Sequence, residues 1–390
     1  MIKLKSKKTV CVITGSRADY GILKLLIERL NNSKKSYLKL IATGMHLSKN
    51  FGNTYKEILD DGFAISEKIN TLINGDEQID TAISVSTGVK KFSKSLTKIK
   101  PDVVILLGDR TEIFAAATAC MILNLPIAHI HGGETTEGVI DEPMRHAITK
   151  MSFLHFTTHQ KYKKRVIQLG ENPNTVFNIG APSLERIKKV NIAKKSIFEK
   201  ELKIEFNKKN VVVTFHPLTG VGMKFNKKRL SNLLQVLSNL KDTNIFITKT
   251  NSDPMGLVFN NMIDKFSANK KNIFVFKSLG YQNYISLIHH SDGVIGNSSS
   301  GIIEVPSLKK GTVNIGDRQK GRILPTSVIQ CGYDKNDIIK AINILFSSKF
   351  SKKILKSVNP YYKSKSSKRI IDIIESTNFK SRTDKKFFDL

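Results

Sequence analysis

Several residue types are scarce in this chain of 390 residues, and their scarcity excludes whole classes of protein. Tryptophan is absent, and cysteine occurs three times at distant positions without a CxxC pair. Because isolated cysteines are typical of reduced thiols, we expect a cytoplasmic protein without a disulfide framework. The 24 glycines and 10 prolines show no period, which excludes a collagen-like chain. No apolar run approaches the length of a membrane span, which excludes an integral membrane protein.

Acidic residues are also few: the chain has 33 aspartates and glutamates and 63 lysines and arginines, so its formal charge is +30. This balance is compatible with binding to nucleic acid or to an anionic membrane. Most of the cations, however, are lysines spread along the whole chain, without interleaved aromatics or zinc-finger spacing. We therefore expect neither a nucleic-acid nor a membrane partner. Residues 1–5 lack the apolar stretch and cleavage site of a secretory signal.

Short apolar runs alternate with amphipathic segments from end to end. One series of strands is predicted at residues 9–14, 38–43, 102–107, 127–130, 154–157 and 176–179. A second series is predicted at residues 210–215, 245–248, 273–276, 293–295 and 312–315. Helices are predicted between them, among others at residues 22–30, 112–123 and 142–151. Apolar strands that alternate with helices indicate parallel sheets covered on both faces, and hence an α/β fold with two Rossmann-like domains.

The predicted domain boundaries follow this repetition. Residues 1–185 form an N-terminal Rossmann-like domain, and residues 186–360 form a C-terminal Rossmann-like domain that binds a nucleotide. A Lys-rich polar stretch at residues 188–209 separates the two series of strands. Residues 361–390 form a basic tail with one amphipathic helix at residues 369–376. Since ligands of open parallel sheets bind beyond the carboxyl ends of the strands, the residues that follow each strand are the candidate site residues.

In the second series, GNSSSG at residues 296–301 joins a strand to a helix. Its small residues let the backbone approach a ligand, and its N–H groups and hydroxyls suit a phosphate. A serine helix cap is the alternative, but that needs one serine rather than three, so we favour anion binding. Glu304 follows one turn into the helix, where it can meet a ribose. His216 ends the first strand of this series, and a lone histidine there is either structural or catalytic.

Two motifs end strands of the first series. GSR at residues 15–17 occupies the usual phosphate-binding corner but is not a GxGxxG fingerprint. Arg17 can bind a phosphate there or pair with Asp19 on the surface. GDR at residues 108–110 places Asp109 beside Arg110. This pair is either an acid/base carboxyl whose pKa the cation tunes or an ion pair that caps the next helix.

Titratable side chains are densest in HIHGGETTEGVIDEPMR at residues 129–145. With Ile130 directed inward, the two flanking histidines are expected on one face of the strand end. Asp141 and Arg145 lie one helical turn apart and can share a face. A carboxylate or imidazole beside a cation suits proton removal. A metal site is the competing interpretation, but HxH with one distant acid lacks a zinc spacing.

Taken together, the motifs resemble those of the hydrolysing UDP-N-acetylglucosamine 2-epimerases of bacterial sialic and legionaminic acid biosynthesis. The resemblance runs from residue 10 to about residue 333 and depends on many ordered matches. They include ITGSRADYG (13–21), TGMH (43–46), LGDRTEIFA (107–115), HIHGGE (129–134), DEPMRHAITKMSFLHF (141–156), GNSSSGIIEVP (296–306) and NIGDRQKGR (314–322). The family implies a GT-B-type fold in which two parallel sheets face a central cleft that holds the nucleotide sugar. We also expect a homodimer or homotetramer.

The resemblance implies an enzyme that eliminates UDP from UDP-N-acetylglucosamine and then adds water to the resulting 2-acetamidoglucal. N-acetylmannosamine and UDP are the products, and no metal or redox cofactor is needed. Asp109 and Asp141 match the acid/base carboxylates, and Arg145 and His216 match residues that support the departing diphosphate. Contacts to the nucleotide or sugar are implied for Arg17, His46, Ser298, Ser299, Glu304 and Arg318. We also expect Arg110 to bind the substrate, because it stands at a strand end where a sugar diphosphate would lie.

One position departs from the family pattern, because related epimerases carry Glu where this chain has His131. Either His131 takes that catalytic role or Glu134 does, and the position at the strand end favours His131. Three other functions compete with the assignment. They are an epimerase of UDP- or GDP-linked 2,4-diacetamido-2,4,6-trideoxyglucose, a GT-B glycosyltransferase and a basic nucleic-acid binder. Asp109, Asp141 and Arg145 argue against a transferase, and the charge of +30 then serves to steer a small anionic nucleotide sugar.

Overall fold

In a computed structural model of the chain, the described residues are 7–73, 77–137, 140–218, 221–250, 255–379 and 385–390. They form two compact units. The first comprises Met1–Glu134, Asp141–Arg186 and Tyr361–Leu390, and the second comprises Thr135–Ile140 and Ile187–Pro360. Residues 1–5, for which no secretory signal is expected, and positions 138 and 139 of the HIHGGE-containing segment lie outside the described residues.

The first unit is built on a parallel sheet whose strands correspond to apolar runs of the sequence. They are β1 (Lys8–Thr14), β2 (Ser36–Thr43), β3 (Glu67–Ile69), β4 (Val103–Leu107), β5 (Ile127–Ile130), β6 (Leu154–Thr157) and β7 (Val176–Asn178). In the described part of the chain the order is β3-β2-β1-β4-β5-β6-β7. Val10 and Val12 of β1 lie in one hydrophobic cluster, and Cys11 and Ile13 lie in another. Both faces of β1 are therefore buried, which explains its uninterrupted apolar run.

Helices alternate with these strands. They are α1 (Arg17–Asn31), α2 (Tyr55–Asp60), α3 (Gln78–Ile99), α4 (Thr111–Ile122), α5 (Asp141–Met151), α6 (Gln160–Gln168) and α7 (Pro182–Ile187). Ser16 caps α1, since its hydroxyl accepts a hydrogen bond from the Asp19 N–H at 3.3 Å. Helix α3 was not predicted, because its Ser- and Thr-rich sequence has weak helix propensity and buries few side chains.

The second unit repeats the arrangement. Its strands are β8 (Lys209–Thr214), β9 (Thr243–Thr248), β10 (Ile273–Phe276), β11 (Gly293–Gly296), β12 (Gly311–Ile315) and β13 (Val328–Cys331), in the order β10-β9-β8-β11-β12-β13 among the described residues. Its helices are α8 (Lys195–Leu202), α9 (Met223–Ser238), α10 (Gly256–Ser267), α11 (Gly280–His290), α12 (Ser300–Ile303), α13 (Lys335–Leu345) and α14 (Ser348–Leu355). Helix α8 lies within the predicted polar stretch and buries Phe198.

The C-terminal residues belong to the first unit, whereas the sequence suggested a separate basic tail. Helix α15 (Ser366–Ser376) begins three residues earlier than predicted. Its buried residues Ile370, Ile371 and Ile374 join the same hydrophobic cluster as Val10. The apolar side of this amphipathic helix therefore completes the core, while its cationic side remains in solvent.

Both sheets reverse their strand order at one point, between β1 and β4 in the first unit and between β8 and β11 in the second. This is the strand order of Rossmann-like domains, so the predicted α/β fold is confirmed. Cys11 and Cys120 are buried in the core, as expected for reduced packing residues. Among the helices of the described residues, none has both the length and the hydropathy needed to cross a lipid bilayer.

Candidate functional site

The turn after β4 presents Asp109 at the carboxyl end of the first sheet. Gly108 has φ of +73°, in the left-handed region that favours glycine. Its N–H donates to the carbonyl of Ile130 at the end of β5, over 3.0 Å. The cation bonded to Asp109 is Arg145 of α5. The sequence suggested the adjacent Arg110 for this role, but Arg110 donates through Nε to Glu112 at 3.0 Å.

His131 and Glu134 form a pair directly after β5. Nδ1 of His131 lies 3.1 Å from Oε1 of Glu134, and the Thr158 hydroxyl donates to the same oxygen at 2.8 Å. Glu134 is 1% exposed and His131 8% exposed. Glu134 and His131 are thus within ion-pair distance, and the carboxylate of Glu134 lies beside the imidazole in a buried environment.

The backbone of His131 is in an unusual conformation, with φ of +69°. A non-glycine residue in this region is strained and is common at functional sites. The N–H of His131 donates to the carbonyl of Phe156 at 3.0 Å, which holds the turn on β6. The prediction that His131 and His129 share a face assumed an extended strand, and that assumption fails at His131. Ile130 does point into the core, as expected.

Arg145 connects the two groups just described. It is 2% exposed; Nη2 bonds to Oδ2 of Asp109, and Nη1 donates to the carbonyl of Glu134 at 2.9 Å. Nη1 also approaches Glu142 at 3.4 Å. The planar guanidinium thus holds the segments after β4 and β5 in one arrangement. The buried side chain of Arg145 contacts Asp109 and Glu134, and the support of a leaving diphosphate that the resemblance implies stays a prediction.

His129 holds the turn after β4 that carries Asp109. Its Nε2 lies 2.7 Å from the carbonyl oxygen of Gly108, and its Nδ1 lies 3.2 Å from the hydroxyl of Thr149 on α5. Burial lowers the pKa of His129 to about 3, so the ring is neutral. A neutral ring that faces a carbonyl donates from Nε2, and His129 therefore fixes the residue before Asp109.

His46 is also a neutral, buried histidine. Nε2 lies 3.0 Å from the Thr14 hydroxyl and Nδ1 lies 2.8 Å from the Thr54 hydroxyl, while burial lowers the pKa to about 4. The ring is fully buried. Both ring nitrogens contact threonine hydroxyls inside the fold, and the position near the sugar that the resemblance implies stays a prediction. The position of His46 therefore supports a role in holding the turn after β2.

A buried carboxylate lies under the turns that follow β1 and β2. A Cβ added to Gly15 would come within 2.2 Å of Glu112 Oε1, and one added to Gly44 within 2.9 Å of the same atom. Glu112 in turn accepts from Arg110, whose Nη2 reaches Met45 Sδ at 3.4 Å. The two glycines are therefore needed for close packing against Glu112, which sets the position of Arg110.

Asp19 and Arg17 begin α1 at the same sheet edge. Burial raises the pKa of Asp19 to about 6, although the charge of Arg110 opposes this and the charge of Glu112 adds to it. The charges that act on Asp19 are therefore those of Arg110 and Glu112, whereas the sequence suggested a surface ion pair between Arg17 and Asp19. Arg17 lies near Glu57, whose pKa is raised by burial and partly lowered by the Arg17 charge.

In the second unit, the side chain of Asn297 joins the ends of β8 and β11. Its Oδ1 accepts from the His216 N–H at 2.7 Å, and its Nδ2 donates to the His216 carbonyl at 2.8 Å. Asn297 is fully buried and its own N–H donates to Thr214 at 3.1 Å. Gly296 before it has φ of +145°, and an added Cβ would come within 1.9 Å of the Thr214 carbonyl. Only glycine permits this approach.

The predicted serines follow Asn297. Ser298 and Ser299 are half-buried, and α12 begins after Ser299. Helix α12 is a single turn, so Glu304 comes after its last residue instead of within it. Glu304 is 9% exposed.

Arg318 and Gln319 follow β12 and bind the same carbonyl. Arg318 Nη1 donates to the oxygen of Asn297 at 3.3 Å, and Gln319 Nε2 donates to it at 2.8 Å. Asn297 therefore connects His216, the serines and Arg318. The sequence did not identify Asn297 or Gln319 as site residues, although Asn297 lies in the motif GNSSSG and Gln319 in NIGDRQKGR. The polar residues after glycine-ended strands were the signal that could have identified them.

Each unit thus gathers part of the predicted set. Asp109, Arg145 and Glu134 are linked through hydrogen bonds in the first unit, His131 lies within ion-pair distance of Glu134, and Asp141 begins the helix that carries Arg145. The second unit gathers His216, Ser298, Ser299 and Arg318 around Asn297. Within the described residues, no group of three or more His, Cys, Asp or Glu side chains is arranged to hold a metal ion.

Comparison with known proteins identifies relatives of this chain. The profile of the family described as UDP-N-acetylglucosamine 2-epimerase matches residues 28–375. A Campylobacter jejuni protein named GDP/UDP-N,N'-diacetylbacillosamine 2-epimerase (hydrolyzing) is 40% identical over 89% of this chain and 90% of its own length. The polysialic acid biosynthesis protein P7 of Escherichia coli is 39% identical, with 98% of each chain covered.

Solved structures agree in fold. The crystal structure of UDP-GlcNAc 2-epimerase from Neisseria meningitidis, bound to UDP-GlcNAc, has a TM-score of 0.80 to this chain. It is 18% identical and covers 95% of this chain and 100% of its own.

Proposed function

Because the chain belongs to the UDP-N-acetylglucosamine 2-epimerase family, as a hydrolysing 2-epimerase that acts on a nucleotide sugar, we propose that it converts UDP-N-acetylglucosamine into N-acetylmannosamine and UDP. The pathway we propose is sialic acid biosynthesis. The linked group of Asp109, Arg145, Glu134 and His131 carries the proposal. It supplies a carboxylate and an oriented imidazole at one sheet edge, and removal of a weakly acidic C2 hydrogen requires such groups.

The first step is the anti elimination of UDP. A base takes the C2 proton, the C2–H electron pair forms the C1–C2 double bond, and UDP leaves with the electrons of the C1–O bond. In the second step the oxygen of water bonds to C1, and C2 receives a proton from the opposite face. The balance is substrate plus water to N-acetylmannosamine plus UDP. Proton transfer on two faces of the ring requires two groups, for which we propose Asp109 and Asp141 as the carboxylates.

For the position that holds Glu in related epimerases we propose His131. Two features support this choice over Glu134. The Glu134 carboxylate is buried, accepts a hydrogen bond from the Thr158 hydroxyl and lies 3.1 Å from Nδ1 of His131. Because Nδ1 faces Glu134, we propose that Nε2 is the nitrogen of His131 that takes part in proton transfer. Glu134 is then a positioning residue.

The departing diphosphate is assigned to groups at the carboxyl ends of the second sheet. His216, Ser298, Ser299 and Arg318 are proposed to contact it, because cations and hydroxyls stabilise the charge that develops on the leaving group. Asn297 holds three of these segments together through its side chain and carbonyl. Glu304 is proposed for the ribose, and Arg17 and Arg110 for further anion contacts. Arg145 is proposed as a positioning residue.

A second substrate is supported by the relatives. The 40% identical Campylobacter jejuni protein is named for N,N'-diacetylbacillosamine linked to GDP or UDP. The same two steps would convert this 2,4-diacetamido-2,4,6-trideoxy sugar, because the chemistry is confined to C1 and C2. Groups that contact C4 and C6 would distinguish the two substrates.

The test is incubation of the purified protein in deuterated water with UDP-N-acetylglucosamine, and separately with the UDP- and GDP-linked diacetamido sugars. We expect the free nucleoside diphosphate of the substrate, UDP or GDP, and a free manno-configured sugar that carries deuterium at C2, measured by NMR and mass spectrometry. Asp109→Asn serves as the inactive variant: it keeps the side-chain shape, removes the proposed acid/base carboxylate and should give no product. Retention of the original C2 hydrogen would exclude the elimination. Product only with an added sugar acceptor would indicate a glycosyltransferase, and faster turnover of a diacetamido sugar would make that sugar the substrate.

A further inference from the structure

The start of α15 and the loop before it carry positive charge that the proposed reaction does not use. A cavity of about 480 Å³ opens there. Its lining includes four cations, which we call the α15 cluster, together with an aromatic ring and a carboxylate: Lys363, Lys365, Lys368, Arg369, Tyr362 and Asp372. This is the segment that the sequence marked only as a basic tail.

The backbone that carries the α15 cluster is held firmly in the first unit. The rings of Tyr361 and Tyr162 stack with centroids 6.3 Å apart, and their hydroxyls lie 3.0 Å from each other. Ser366 Oγ donates to the Ile179 carbonyl at 2.7 Å, and the Ala181 N–H donates to Tyr361 at 2.9 Å. Because these contacts flank the lysines on both sides, a ligand would not have to order the chain first.

The positive charge of the cluster is poorly compensated. Lys368 pairs with Asp372 at 2.6 Å. In the parts of the chain that the structure describes, Lys363, Lys365 and Arg369 have no carboxylate within ion-pair distance, and Lys363 donates to the neutral Asn178, at 3.3 Å to its carbonyl. Like charges also act on one another here. Burial lowers the pKa of Lys363, and the charges of Arg369 and Lys163 lower it further.

The first turn of α6 extends this positive surface. Burial lowers the pKa of His159, which caps α6, and the charges of Lys363 and Lys161 add to this effect. A site where cations repel one another gains stability when an anion enters it.

We propose that the α15 cluster binds a small anion that carries several phosphate groups. A guanidinium matches phosphate oxygens in a bidentate geometry, and lysines add compact charge around it. Three uncompensated cations call for more negative charge than one carboxylate provides. The cavity volume falls in the range of small-molecule sites, about 300–1,000 Å³, which argues against an extended nucleic acid. The phosphate chain is either inorganic oligophosphate or the tail of a nucleotide.

The test is isothermal titration calorimetry of the full chain with tripolyphosphate, in saturating UDP so that the proposed nucleotide site is occupied. We expect one binding event that Lys363→Gln with Arg369→Gln weakens about tenfold or more. The charge-retaining pair Lys363→Arg with Arg369→Lys should keep the affinity. The matched control, Lys352→Gln with Lys353→Gln, removes two exposed charges from α14 and should bind as the wild type does.

Two further measurements distinguish a nucleotide from inorganic phosphate and control for folding defects in the variants. Tighter binding of ATP than of tripolyphosphate would identify a nucleotide, and equal binding would identify the phosphate chain alone. If the double variant melts at a lower temperature, Arg369→Gln alone, at an exposed helical position, serves as the comparison. Absence of binding heat in the wild type would overturn the proposal, as would equal weakening in the α14 control variant.

Discussion

Nδ1 of His131 lies 3.1 Å from the Glu134 carboxylate, which accepts a hydrogen bond from the Thr158 hydroxyl. The sequence left these two residues as alternatives for one catalytic role. We propose that Nε2 of His131 takes part in proton transfer, while Glu134, on the Nδ1 side, positions the ring. His131 would then fill the position that holds Glu in related epimerases.

Replacement of the two residues should therefore have unequal effects. His131→Gln removes the exchanging nitrogen and should lower kcat by about 10²–10⁴-fold. Glu134→Gln keeps the side-chain shape and an oxygen near Nδ1 of His131 but removes the negative charge. We expect a smaller fall in kcat, because the group that transfers the proton remains in place. His289→Gln, on α11, is the matched control. Abolished turnover in Glu134→Gln with retained turnover in His131→Gln would reverse the two assignments.

Replacement of Arg145 tests whether its side chain positions Asp109 or binds the diphosphate. Arg145→Lys keeps the charge, but an ammonium cannot hold Asp109 and the Glu134 carbonyl in the planar geometry of a guanidinium. We expect kcat to fall by about 10²-fold, since small displacements of a reacting group have effects of this size. KM and the affinity for UDP should stay near the wild-type values. A large loss of UDP affinity, measured by calorimetry, would instead place Arg145 on the diphosphate.

The sequence predicted the fold well because apolar runs of β-branched residues mark buried parallel strands directly. The same runs indicated which residues stand at the carboxyl ends of strands, so Asp109, His131 and His216 could be selected. The bond between Arg145 and Asp109 could not be predicted, because it depends on the rotation of α5 against β4. Local patterns contain no information on such a distance between elements.

Other errors have equally physical causes. Residues 129–131 read as a continuing strand, but His131 adopts a left-handed backbone that no alternation pattern anticipates. The cationic residues of α15 concealed an apolar face that packs on the first unit. The two threonine contacts of His46 could not be predicted either, because they join residues from three different segments.

Asn297 offers a test of the second unit. Asn297→Asp keeps the acceptor for the His216 N–H but replaces the Nδ2 donor by an oxygen that repels the His216 carbonyl. We expect a loss of about 1–3 kcal/mol in stability, typical of a buried group left without its partner, and weaker binding of UDP. Asn272→Asp is the matched control, because Asn272 also donates to a backbone carbonyl, that of Thr243, at 2.9 Å. It should lose stability and keep its UDP affinity; an equal loss of affinity in both variants would separate Asn297 from the nucleotide site.

The buried histidines predict how stability depends on pH. The folded chain keeps His46 neutral down to a pKa of about 4, from an ordinary value of 6.5, and keeps His129 neutral down to about 3. The unfolded chain binds protons at these residues near pH 6.5, so the unfolded state holds more protons between pH 6.5 and about 4. Stability should therefore be complete above pH 6.5 and should fall as the pH decreases through this window.

The size of this effect can be measured in one variant. At about 1.4 kcal/mol for each unit of pKa, His46 accounts for roughly 3 kcal/mol of the loss. Urea unfolding at pH 7.5 and at pH 5 should show that His46→Gln is less stable than the wild type at the higher pH, because the bonds to Thr14 and Thr54 are weakened. The decrease in the free energy of unfolding between the two pH values should be smaller in His46→Gln. An unchanged decrease would mean that His46 takes up its proton equally in the folded and unfolded states, contrary to its burial.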